Sequence, residues 1–78
     1  MVLSDKRLMA STRVHNNIRK LRFANGEMTQ QELAKQIGVT RQTVVAIEKE
    51  KYSPSLEVAF RIAAVFGEPL EQVFSYQP

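Results

Sequence analysis

The sequence predicts an all-α fold, one domain built from five short helices, and three observations predict it. Apolar residues recur three and four apart in one segment after another, the spacing of a helix with one buried face. Each segment is bracketed by a capping residue before it or a Gly or Pro after it. The 78 residues make one domain, whose modest core suits short packed helices and whose stability is limited unless the chain dimerises.

Residues 1–12 carry no sustained period, and they read as a flexible arm ahead of a domain at 13–78. Lys6 and Arg7 in that arm could touch a phosphate or a minor groove. The first helix is expected from near Val14 to Asn25, with Val14, Ile18 and Leu21 as its buried stripe, His15, Arg19 and Lys20 facing out, and Gly26 as its stop. Phe23 falls off that stripe and is either a cover over the helix-loop junction or part of a contact patch. The second helix spans Gln30 to Ile37. Thr29 and Glu32 form a capping box before it, and Leu33, Ala34 and Ile37 face inward. Ala34 is small enough to let a neighbouring helix cross closely.

Gly38 and Val39 then make a tight turn into a third helix, Arg41 to about Glu48, capped by Thr40. A short helix, a turn containing Gly and a second short helix form a helix-turn-helix pattern over 30–48. Val44 and Ile47 share one face of the third helix and anchor it. Arg41, Gln42, Val45 and Ala46 lie on the other side. Arg suits guanine O6 and N7, and Gln suits adenine N6 and N7, so these positions are candidates for reading base edges. Pro54 bars continuation beyond the following loop, and Ser55 caps a fourth helix, Leu56 to Phe66. Its inner face is expected to hold Leu56, Ala59, Ile62, Ala63 and Phe66, and Gly67 ends it. Pro69 opens a fifth helix as its first residue, Leu70, Val73 and Phe74 pack back on the core, and Ser75–Pro78 is a tail. No strand is required.

Composition narrows the function classes. The absence of Cys removes disulfides and thiolate metal sites, and His15 alone cannot anchor a zinc ion, so no metal or cofactor is expected. No apolar run approaches the roughly 20 residues that span a bilayer, and Asp5, Lys6 and Arg7 interrupt any signal-peptide core, which points to a cytoplasmic protein without a membrane partner. With no glycine-rich phosphate loop and no acid pair flanking an evident cleft, the chain does not read as an enzyme. Residues 1–52 carry twice as many basic as acidic side chains, whereas 53–78 set Arg61 against Glu57, Glu68 and Glu71. A basic front and a mildly acidic back fit a protein that lays one side on a polyanion.

The run from Thr29-Gln30-Gln31-Glu32-Leu33-Ala34 through Gly38-Val39-Thr40-Arg41-Gln42-Thr43 to Ile47-Glu48 resembles the phage repressor and Cro family, also called the XRE family. The likeness continues through Lys51-Tyr52-Ser53-Pro54-Ser55-Leu56 to Pro69 and covers roughly residues 14–76. It implies a lambda-repressor-like five-helix domain of the small free-standing type that binds double-stranded DNA. It implies base-reading roles for Arg41, Gln42 and Ala46 and phosphate contacts for Gln30, Thr40, Thr43, Lys49 and Lys51, with Thr43 touching a phosphate or a base edge and Gln30 also bracing Gln42. Val45 departs from the polar residue that many relatives carry there, and it either meets a thymine methyl or a sugar or carries no sequence information. The resemblance further implies that Arg22 pairs with Glu48 and orients the third helix from the first.

One such module reads few base pairs, so the expected working unit is a homodimer on an inverted repeat whose half-sites lie about 34–36 Å apart. Phe60, Val65, Phe74 and Tyr76 are the interface candidates, unless they only finish the core. The expected outcome is transcriptional regulation, commonly repression in the resembling family. The alternative is an antitoxin that binds a toxin and represses its own operon, although only four residues follow Phe74 to serve as a partner-binding tail.

Overall fold

Residues 12–78 are described in a computed structural model of the chain. Lys6, Arg7 and the rest of the arm up to residue 11 lie outside the described residues. The order of elements is β1 (Val14–Asn16), α1 (Ile18–Ala24), α2 (Gln30–Ile37), α3 (Arg41–Glu48), α4 (Leu56–Phe66), α5 (Leu70–Val73) and β2 (Phe74–Tyr76). Ile18, Leu33, Ala34, Ile37, Val44, Ile47, Ile62, Ala63, Phe66 and Val73 form one buried cluster to which all five helices contribute. Leu21, Met28, Val39, Val58 and Leu70 pack around it.

Local chemistry sets most of the boundaries. The Thr29 hydroxyl accepts from the Glu32 amide at 3.0 Å, and the Glu32 carboxylate accepts from the Thr29 amide at 2.8 Å, so two orphan donors at the start of α2 are satisfied together. Gly38 closes α2 with φ of 75°, a left-handed conformation that an L side chain adopts only with strain. Thr40 and Ser55 cap α3 and α4 by accepting from the amides of Thr43 and Val58.

Thr29→Ala should lower stability by about 1 kcal/mol in urea unfolding at neutral pH, because it removes the hydroxyl half of the box. A change of a few tenths would show that solvent already satisfies the α2 amides. The Thr29 amide and hydroxyl hold the Glu32 carboxyl below its ordinary value of 4.5. With the folded value depressed, the box's contribution is fully present above that ordinary value. It fades as pH falls through the lower folded one, and the Thr29→Ala difference should shrink with it.

The all-α expectation needs correcting, because β1 and β2 pair as a small antiparallel sheet, with Val14 opposite Tyr76, His15 opposite Ser75 and Asn16 opposite Phe74. Helix one therefore starts at Ile18, not near Val14. Asn16 is the physical reason: its Oδ1 accepts from the Ile18 amide at 3.1 Å, a local bond that competes with helix upstream. The Asn17 amide also turns away and donates to the Val73 carbonyl at 2.9 Å. The supposed tail is half strand, and α5 stops at Val73, since Phe74 is extended with ψ of 149°. Pro69 is the cap before α5 rather than its first residue. Leu56 also departs from the expected inner face and is 67% exposed. It occupies the first turn of α4 and borders an open apolar depression with Pro54, Leu70 and Phe74, where no element among the described residues covers it.

Candidate nucleic-acid interface

The third helix is divided by its own periodicity. Val44 and Ile47 are buried and fix α3 to the core. Arg41 and Gln42 stand exposed at its N-terminal end, and Thr43, Val45 and Ala46 are half-buried. Thr40 is exposed, and its hydroxyl lies 3.0 Å from that of Thr43, so the two hydroxyls share a hydrogen bond at the start of the helix. Lys49 and Lys51 are exposed just beyond the other end.

Behind this surface runs a chain of hydrogen bonds that aims it. Arg22, on α1, donates from Nε to Glu48 Oε2 at 2.7 Å and from a second guanidinium nitrogen to Oε1 at 3.1 Å. Its remaining terminal nitrogen donates to the Met28 carbonyl at 2.7 Å. The Arg22 and Glu48 side chains are only 7% and 9% exposed, so the pair is buried and bidentate. Gln30, at the start of α2, donates to Glu48 Oε1 at 3.3 Å and accepts from Arg41 at 3.3 Å. Gln30 thus braces Arg41 rather than Gln42, because its carbonyl oxygen faces the guanidinium. One relay joins the buried pair, the first turn of α2 and the exposed end of α3.

Phe23 adds a feature that periodicity left open. It is exposed, and the guanidinium groups of Arg19 and Arg22 sit over its ring at 5.5 and 5.4 Å from the centroid. It lines an open groove with Arg19, Lys20, Gln30, Arg41 and Lys49 and with Glu27 and Met28 of the loop, so it is part of an exposed patch beside α3.

The charged residues of this groove are mostly basic, with Arg19, Lys20, Arg22, Arg41 and Lys49 against Glu27 and Glu48, a balance that suits an anionic polymer. A family model described as Helix-turn-helix matches residues 18–73, most of the chain. The chain belongs to the XRE-type helix-turn-helix family. As a helix-turn-helix transcriptional regulator it carries its DNA-binding module on α2 and α3. An uncharacterized HTH-type transcriptional regulator of Methanocaldococcus jannaschii is 56% identical over 50 residues, covering 64% of this chain and 76% of that protein. The transcriptional repressor RstR of the cryptic phage CTXphi from Vibrio cholerae is 37% identical over 60 residues, covering 77% of this chain and 53% of its own length. A crystal structure from Bacteroides fragilis shares the helix-turn-helix fold with a TM-score of 0.69 at 24% identity, covering 80% of this chain and 98% of that one. The family is one of regulators, not enzymes.

The interface candidates fall on two patches of this helix-turn-helix domain. Phe60 is 54% exposed on the outer face of α4 beside Leu56 and Ala64. Tyr76 is 66% exposed on β2, with Val14, Leu70 and Phe74 around it. Val65 and Phe74 are half-buried against the core. No helix among the described residues is long and apolar enough to cross a membrane.

Residues that sequence reasoning missed lie on β1 and just before it. Asn16 donates from Nδ2 to the Ile47 carbonyl at 2.9 Å, the His15 imidazole Nδ1 lies 2.9 Å from Glu50 Oε1, and the Thr12 amide donates to the Glu50 carbonyl at 3.0 Å. Glu50 takes a left-handed φ of 60°, unusual for a residue with a side chain, and these contacts hold it there. The bonds join residues 31 to 38 positions apart, beyond any helical or turn period, so local pattern carried no signal for them.

Proposed function

We propose that this regulator is a repressor that binds an inverted-repeat operator as a homodimer in the cytoplasm, with α3 in the major groove. The observation that carries the reading is the division of α3. Its inner side is locked by Val44, Ile47 and the Arg22–Glu48 pair, and its exposed N-terminal end presents Arg41 and Gln42. A recognition helix reads base edges with its N-terminal residues. In this reading Arg41 and Gln42 hydrogen-bond base edges, Val45 and Ala46 lie against the groove floor, and Gln30, Thr40, Thr43, Lys49 and Lys51 meet phosphates. Two copies give the affinity that one short helix lacks, and the exposed Phe60 and Tyr76 are the apolar groups a second copy would cover. The similarity to a phage repressor supports repression.

The test is selection from a random duplex library at near-physiological salt, with the mass of the purified protein measured in parallel. An enriched inverted repeat with half-sites one turn apart, bound by a dimer, is the expected result. Weak, salt-sensitive binding to every duplex would sink the reading and bring a protein partner, such as a toxin, to the front. Lys51→Ala should weaken selected and random duplexes alike and flatten the dependence of log affinity on log salt by about one unit. A loss confined to the selected duplex would move Lys51 from the phosphates to the bases.

A further inference from the structure

We infer that β1 is a strap that positions the recognition helix, and that Asn16 and His15 set the aim of α3 on DNA from outside the helix-turn-helix. The inference rests on the DNA-reading function proposed above. The last carbonyls of a helix have no partner within it. At the end of α3, Ile47 is one of these, and its carbonyl receives Asn16 Nδ2 at 2.9 Å as well as the Glu50 amide at 3.0 Å. One residue before Asn16, the His15 imidazole lies 2.9 Å from the Glu50 carboxylate; a carboxylate only accepts, so Nδ1 carries the proton. The Thr12 amide takes the Glu50 carbonyl. Three grips, from Thr12, His15 and Asn16, thus close on Ile47 and Glu50.

A strap positions something only if its other side is fixed. The Asn17 amide and side chain donate to the carbonyls of Val73 and Gln72 at 2.9 and 3.1 Å. β1 is also laddered to β2. The strap therefore refers the C-terminal end of α3, which Arg22 also grips through Glu48, to α5 and β2, while Gln30 links Glu48 to Arg41 at the N-terminal end. These ties oppose a pivot of α3 about Val44 and Ile47 and so set its angle. Base-edge hydrogen bonds demand that angle, because they fail when donor and acceptor are misaligned, whereas phosphate attraction tolerates it.

Asn16→Asp keeps the oxygen that accepts from the Ile18 amide but removes the donor to Ile47. His15→Ala removes only the grip on Glu50 and serves where the first variant folds poorly. In the full-length chain, amide hydrogen exchange at Lys49, Glu50 and Lys51 should quicken in both variants while the α2 amides keep their rates. The affinity ratio between the duplex selected by the unaltered protein and a scrambled duplex should fall about three- to tenfold, the scale of one hydrogen bond. The new carboxylate repels both duplexes alike, so it leaves that ratio alone. A selected duplex whose ratio survives both substitutions, or exchange that stays unchanged at residues 49–51, overturns the strap and leaves DNA reading intact. Failure of the unaltered protein to select any duplex overturns both.

Discussion

Glu48→Ala is expected to remove about 3–5 kcal/mol of folding stability, the scale of breaking a buried ion pair by deleting one partner. The substitution leaves Arg22, itself only 6% exposed, with a full charge and one remaining acceptor, the Met28 carbonyl. A domain of 78 residues is stabilised by on the order of 4–12 kcal/mol in total, so the loss takes a large share. Urea unfolding reads it as a lower midpoint with an unchanged slope. A loss of less than about 1 kcal/mol would mean that the pair behaves as a solvated surface contact. Replacing both partners together, as Arg22→Met with Glu48→Leu, should recover much of the stability, because no uncompensated charge remains inside. Operator affinity should not recover with it. Glu48 also receives Gln30, and Gln30 receives Arg41, so the double variant folds yet leaves Gln30, and through it Arg41, without the Glu48 anchor. Stability and recognition part company in that one protein, which separates the packing role of the pair from its aiming role.

What could be read from the sequence follows from how far each signal reaches along the chain. The Thr29, Thr40 and Ser55 caps act over three residues, and the left-handed stops at Gly38 and Gly67 act over four or five. Such short-range chemistry gave α2, α3 and α4 the bounds expected of them. The inner faces of α2 and α3 followed from period alone, and Leu33, Ala34, Ile37, Val44 and Ile47 are all buried. The small sheet escaped because its strands are three residues long and about sixty positions apart, and Val14 and Ile18 fit a helical stripe as well as a strand followed by a helix. Leu56 escaped because period says which side of a helix a residue is on, not whether anything covers that end. At the candidate interface, the exposed residues of α3 were visible, whereas the relay through Gln30 to Arg41 and the grip of Asn16 on Ile47 depend on distances between elements.

Arg41→Ala should weaken binding to the selected duplex by about 1–3 kcal/mol, the discrimination that a bidentate arginine–guanine contact supplies. On scrambled DNA it should cost no more than one phosphate-type charge, with the salt slope reduced by about one unit. Arg41→Lys sharpens the comparison. Lysine keeps the charge and loses the planar fork, so the salt slope should stay while the preference for the selected duplex falls nearly as far as with alanine. The geometry gives this side chain an advantage that lysine cannot copy. Gln30 accepts from one guanidinium nitrogen at 3.3 Å, which restrains the fork before DNA arrives and leaves its other donors free to point outward. Less rotamer freedom is then lost on binding, so part of the Arg41 contribution belongs to Gln30. Gln30→Ala should therefore lower the same preference, and the double variant should lose less than the sum of the two single losses, because both remove one shared contact. Titration of the three variants against both duplexes decides the matter: additive losses would mean that Gln30 acts only as a phosphate contact and not through Arg41, and equal losses of Arg41→Ala on both duplexes would remove Arg41 from the bases altogether.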